Sequence, residues 1–173
     1  GALGAEDSKA SAVTNGIFTT GTTNVRAYCT PTSSGASTYL LIIYSPAKIY
    51  APEDSSSLFM DLTGVKTISF DNFNTDYITK MGKTLNGTNY GMFYNCNTLE
   101  SLDLTNFITS SVTNMKYLFY GCQALSSLNL LNFNTSNVTD MSFMFTNCSL
   151  LVTLDVSNFN TEKVTTMENM FGG

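Results

Sequence analysis

Histidine and tryptophan are both absent from this 173-residue chain, and charged residues make up only 12% of it. Without imidazole there is no Ser-His-Asp triad, no Cys-His dyad and no histidine-ligated zinc or haem. Eight Lys and Arg against thirteen Asp and Glu leave a formal charge of −5. That is a poor match for a phosphate backbone, which needs clustered cations, so no nucleic-acid partner is expected. No apolar run reaches the roughly 18 residues that a membrane helix requires. The longest, from Tyr39 to Tyr44, has strand length. The start of the chain, residues 1–8, has neither a charged n-region nor an apolar h-region, so it does not read as a signal peptide.

What the chain does contain is a core-forming composition and a repeat. Hydrophobic residues make up 43% of it, and its length suits one domain. Phe93, Phe119, Phe145 and Phe171 recur every 26 residues. The same step separates Cys96, Cys122 and Cys148, then Leu102, Leu128 and Leu154, then Phe107, Phe133 and Phe159, then Met115, Met141 and Met167. An earlier copy holds Phe59, Val65, Ile68, Phe73, Ile78 and Met81. It is eight residues longer, with the excess in a Gly- and Asn-bearing stretch at 82–89 that reads as a surface turn. Such periodicity signals stacked repeats.

Each copy changes period halfway. Residues 101–105, 127–130 and 153–156 alternate polar and apolar, which predicts half-buried strands. Val112, Met115, Leu118, Phe119 and Cys122, with their counterparts Val138, Met141, Met144, Phe145 and Cys148, are spaced by threes and fours, which predicts a short helix. Thr75, Thr109, Thr135 and Thr161 stand where helix N-caps belong. The expected fold is α/β: a solenoid of the leucine-rich-repeat type, with parallel strands on one side and short helices on the other. It would comprise a flexible lead (1–16), an N-terminal β-cap with strands near 24–29, 38–44 and 48–50 (17–56), and four repeat copies (57–173).

Leu99-x-x-Leu102-x-Leu104 and Leu125-x-x-Leu128-x-Leu130 resemble the L-x-x-L-x-L core of leucine-rich repeats. Residues 131–145, Leu-Asn-Phe-Asn-Thr-Ser-Asn-Val-Thr-Asp-Met-Ser-Phe-Met-Phe, are similar to the BspA-like proteins, in their bacterial surface-protein branch with 26-residue repeats. The resemblance implies a curved solenoid, an extracellular or cell-surface location, and adhesion rather than catalysis. One departure is that Phe73, Phe107, Phe133 and Phe159 occupy the slot where such repeats place a buried asparagine. Asn72, Asn106, Asn132 and Asn158 beside them are expected to bond backbone groups of the turn.

The candidate partner-binding face is the outward side of the expected strands: Ser69, Asp71, Ser101, Asp103, Thr105, Ser127, Asn129, Thr153 and Asp155. Strands about 4.8 Å apart would align these residues into columns facing a large protein or glycan. The bland alternative is a merely solvated face, or a stalk that binds nothing itself. A third reading makes Asp103 and Asp155 the acid pair of a hydrolase, but a flat sheet offers neither burial nor a pocket. No metal or cofactor is expected, since Cys96, Cys122 and Cys148 lack the C-x-x-C spacing and read as buried wedges. Cys29 has no assignable partner, and disulfides between copies are not expected. The periodic methionines read as core filler. The sequons at Asn86, Asn134, Asn137 and Asn147 arise readily in so Asn/Thr-rich a chain. Leu154, Val156, Phe159, Val164 and Met167 form a flank with nothing stacked on it, where self-association or further repeats are expected.

Overall fold

The computed structural model describes residues 26–31, 39–44, 48–70 and 72–173. Strands β1 (Arg26–Pro31), β2 (Tyr39–Tyr44), β4 (Val65–Phe70) and β8 (Ser101–Leu102) form one sheet in the order β1-β2-β4-β8. β1 is antiparallel to β2, while β2, β4 and β8 are mutually parallel. Two small pairs complete the set: β3 (Ile49–Tyr50) lies parallel to β5 (Phe73–Asn74), and β6 (Gly82–Leu85) is antiparallel to β7 (Thr88–Gly91). The eight extra residues of the first copy therefore fall within a β-hairpin over 82–91. Asn86 and Gly87 turn it with φ of 52° and 78°, the pair of left-handed residues a type I′ turn demands.

The expected leucine-rich-repeat-type solenoid is not what forms. Among the described residues there is no helix, and strands make only small sheets of four, two and two members. The segments predicted as helices are instead runs of consecutive three-residue turns. Leu118 N–H bonds to Met115 O, Tyr120 N–H to Tyr117 O, and Cys122 N–H to Phe119 O. The intervening N–H groups point away to the following copy: Met115 to Asp140 O, Tyr117 to Ser142 O, Phe119 to Met144 O, Gly121 to Thr146 O. A helix would spend those donors internally, four residues back. Left-handed residues in each run, among them Asn95, Tyr117, Gly121, Phe143 and Asn147, also break helical geometry. The three-and-four spacing still did its work, because Met115, Leu118, Phe119 and Cys122 are all fully buried.

The predicted strands of the third and fourth copies also fail to form. Asn129 Oδ1 accepts the N–H of Leu131 and Asp155 Oδ1 that of Ser157, curling each segment into a turn before a ladder can propagate. In the second copy β8 stops at Leu102, and Asp103 does the same to Thr105.

Copies nevertheless lie in register on one another. Isolated parallel bridges run Asp54–Lys80–Asn114–Asp140–Thr166. Phe59, Phe93, Phe119, Phe145 and Phe171 stack with successive centroid separations of 5.4, 5.6, 5.6 and 5.5 Å, all within 12° of coplanar. One continuous core runs from Leu41 and Ile43 at the sheet to Met170.

The threonines do not cap helices. Thr75, Thr109 and Thr135 are each about 1% exposed and clamp the following copy. The hydroxyl of Thr109 accepts the N–H of Asn134 at 2.8 Å and donates to the same residue's carbonyl at 3.1 Å, and Thr135 does likewise with Asn160. Thr161, in the last copy, is exposed. Asn132 and Asn158 bond backbone as expected, but that of the preceding copy. Asn132 Nδ2 reaches the carbonyls of Leu104, Thr105 and Phe107 within 3.2 Å, and Asn158 Nδ2 those of Leu130, Leu131 and Phe133 within 3.3 Å. The thiols of Cys96, Cys122 and Cys148 donate one copy back, to the carbonyls of Phe59, Phe93 and Phe119. All three cysteines are free.

Candidate functional site

Asp103, Asn129 and Asp155 head three equivalent turns, and the Asn132 and Asn158 clamps hold those turns against one another. Around them Ser101, Thr105, Ser127 and Thr153 are exposed, as is Ser69 on β4. The predicted face is therefore a row of exposed polar groups carried on turns rather than on strands. Asp71 lies outside the described residues. Pairing of Thr67 with Ser101 across β4 and β8 brings Ser69 and Asp103 together, where they line a shallow cleft of about 240 Å³ with Thr67, Asn106 and Phe107.

The carboxylates in this row are committed to turn structure. Asp103 Oδ1 accepts the backbone N–H of Thr105 at 3.0 Å and its hydroxyl at 2.8 Å, and those bonds hold its pKa below the usual carboxylate range. Bonds from the Ser157 hydroxyl and N–H lower Asp155 in the same way. A general acid needs the opposite shift, upward, inside a dry pocket. Nor are the thiols poised as nucleophiles: burial pushes Cys96 up to about 12 and Cys148 to about 11, and raises Cys122 well above an ordinary thiol. Among the described residues no group of three or more His, Cys, Asp or Glu is placed to hold a metal ion.

A second polar surface was not anticipated from the sequence. The β6–β7 hairpin lies against the turns that hold Lys116 and Tyr117 so closely that a Cβ on Gly82 would sit 1.5 Å from the carbonyl oxygen of Lys116, and one on Gly91 1.9 Å from that of Tyr117. Glycine is obligatory there. The hairpin thereby walls an open cleft of about 500 Å³ that gathers Lys80, Lys83 and Lys116 with Asp54, Asn114 and Asp140. Lys83 Nζ pairs with Asp54 at 2.7 Å and sits 5.5 Å from the centre of the Tyr90 ring. Lys116 Nζ lies 5.4 Å from the ring centre of Tyr117 and 5.9 Å from that of Phe143, which stack on each other at 4.9 Å. Burial pulls the Asp54 carboxyl upward, but its bonds from Lys83 and Ser56 outweigh that and leave it lowered. The signal available in the sequence was the 26-residue step between Tyr117 and Phe143, an aromatic slot additional to the core phenylalanines.

No curated protein and no solved structure matches the chain. Over residues 88–173 the chain matches the model of a family described as "Mycoplasma protein of unknown function, DUF285".

Proposed function

We propose that this protein is a non-enzymatic binding module, extracellular or on the cell surface, that recognises a protein or glycan through the row of exposed polar groups headed by Asp103, Asn129 and Asp155. The observation that carries the reading is the repetition of one turn three times, each presenting a carboxylate or amide group to solvent, with exposed hydroxyls at Thr105 and Ser157 in two of the turns and an exposed Leu131 in the third. A partner contacting such a row meets preorganised groups and loses little freedom in ordering them. The similarity of residues 131–145 to BspA-like surface proteins supports the same role. Lowered carboxylates and raised thiols speak against acid–base or nucleophilic chemistry at these residues. Ser101→Arg combined with Ser127→Arg alters the row without touching the Asx turns. Binding of the purified chain to arrayed matrix proteins and neutral glycans should fall at least tenfold in that variant. Unchanged capture refutes the assignment of the face, and capture of nothing by the wild type favours a stalk that only displays other domains.

A second reading is self-association at the last copy, where Val152, Met167 and Phe171 are 85%, 51% and 61% exposed. Phe171 stacks on Phe145 at 5.5 Å and leaves its other face exposed, which a second copy of the chain or a further repeat would cover. Light scattering should then show concentration-dependent dimers that Phe171→Ser abolishes. A monomer at all concentrations rejects this reading.

A further inference from the structure

We infer that the cleft under the β6–β7 hairpin is a second binding site, separate from the polar row, whose ligand is an acidic saccharide bearing carboxylate or sulfate groups. The chain is acidic overall, yet three of its eight cationic side chains converge on this one cleft. Ion pairs among the described residues join Lys83 to Asp54 and Lys66 to Glu100, so within those residues Lys80 and Lys116 have no carboxylate within 4 Å. Lys116 is held instead by the stacked faces of Tyr117 and Phe143. A ring face positions an ammonium without neutralising it, whereas a carboxylate would cancel the charge. The result is a fixed cation with its attraction for an anion intact.

Those two rings are carried at φ of 57° and 59°, a conformation that costs a bulky residue energy and that Asn or Gly would adopt freely. The rings do not line the cleft themselves; they act on it through Lys116, which does. Asp140 spends Oδ1 on the N–H of Ser142, and Asn114 spends its Oδ1 on the N–H of Lys116. That leaves one carboxylate oxygen and one amide NH₂ to meet hydroxyl groups. Ammonium for an anion beside acceptor and donor for hydroxyls is the complement of a uronate or a sulfated sugar. A saccharide carries hydroxyls on every ring that can donate to Asp140 and accept from Asn114, a density that Asp and Glu side chains do not offer, so the lining favours the saccharide.

The test uses the full chain in calorimetric titrations with a hyaluronate oligosaccharide and a heparin oligosaccharide, with dextran and poly-glutamate for comparison. Binding of one or both acidic saccharides, weakening as salt rises, is expected. Affinity should drop at least tenfold in Lys80→Gln/Lys116→Gln and hold within twofold in Lys163→Gln, with thermal midpoints unchanged. Hyaluronate alone would identify a carboxylate site and heparin alone a sulfate site. Binding that survives Lys80→Gln/Lys116→Gln, dextran or poly-glutamate binding as tightly, or no binding of either acidic saccharide at millimolar concentration each overturns the proposal. Ser101→Arg/Ser127→Arg should leave this binding intact, so the two sites fail or stand separately.

Discussion

The phenylalanine stack is the most direct test of how this chain is held together. Phe119 is fully buried at its centre, with Phe93 and Phe145 each 5.6 Å away and within 10° of coplanar. Phe119→Ala removes a buried ring and leaves a cavity that flanking turns cannot fill without breaking their bonds to neighbouring copies, a change that costs about 3–5 kcal/mol. Against a total stability of about 5–15 kcal/mol, that is a large fraction. Phe119→Leu restores most of the apolar volume but not the two ring contacts, each worth about 0.5–1.5 kcal/mol, so about 1–3 kcal/mol should be lost. Phe171→Ala, at the exposed end with one stacked neighbour, should cost less than about 1.5 kcal/mol on the same scale. Urea unfolding followed by far-UV circular dichroism and by the fluorescence of the nine tyrosines gives all three values. If Phe119→Ala proves no more damaging than Phe171→Ala, the stack does not carry the fold.

Further expectations concern the clamps, the hairpin and the thiols. Thr109→Val keeps the buried volume but strips a hydroxyl that makes two bonds, so about 1–3 kcal/mol should be lost in urea titrations, while Thr109→Ser loses less. Gly82→Ala should unseat the hairpin, because its Cβ would overlap the Lys116 carbonyl; Gly87→Ala meets no neighbour and should cost only about 1–2 kcal/mol for its left-handed backbone. Amide exchange across 82–91 distinguishes the two: protection collapsing equally in both would contradict the packing. Cys96 and Cys122 should resist a thiol-specific disulfide reagent at pH 8 until urea is added. Their folded pKa values lie above the ordinary thiol, so the unfolded chain sheds protons first. Stability is then fully present below about pH 9 and falls as pH rises toward 12. A stability flat from pH 8 to 11 would contradict this burial.

Much of what the sequence supplied was a list of which side chains turn inward. The 26-residue step predicted that Phe93, Phe119 and Phe145, and Met115 and Met141, share equivalent places, and they do. It predicted the wrong backbone. Burial spaced by threes and fours is common to a helix and to a succession of three-residue turns, and nothing in the side-chain pattern distinguishes them. The deciding interactions are bonds such as Phe119 N–H to Met144 O, between residues 25 apart, which exist only once copies lie together. The same holds for Thr135, whose place before an apolar run suggests a cap and whose partner, Asn160, lies one copy away.

Of the two polar surfaces, the row at Asp103, Asn129 and Asp155 was legible because one polar slot recurs at the repeat step. The lysine cleft was not. Lys80 precedes and Lys83 lies within an insertion that interrupts the frame, and only the folded hairpin brings them beside Lys116. The sequence by itself thus determined the repeat, its core slots and the exposed polar row, since hydrophobicity and side-chain chemistry are local properties. The tertiary structure alone decided helix against turn, strand against Asx turn, and where the cations gather. Backbone donors and charges choose partners by proximity in space, and proximity between copies is set only when the stack closes.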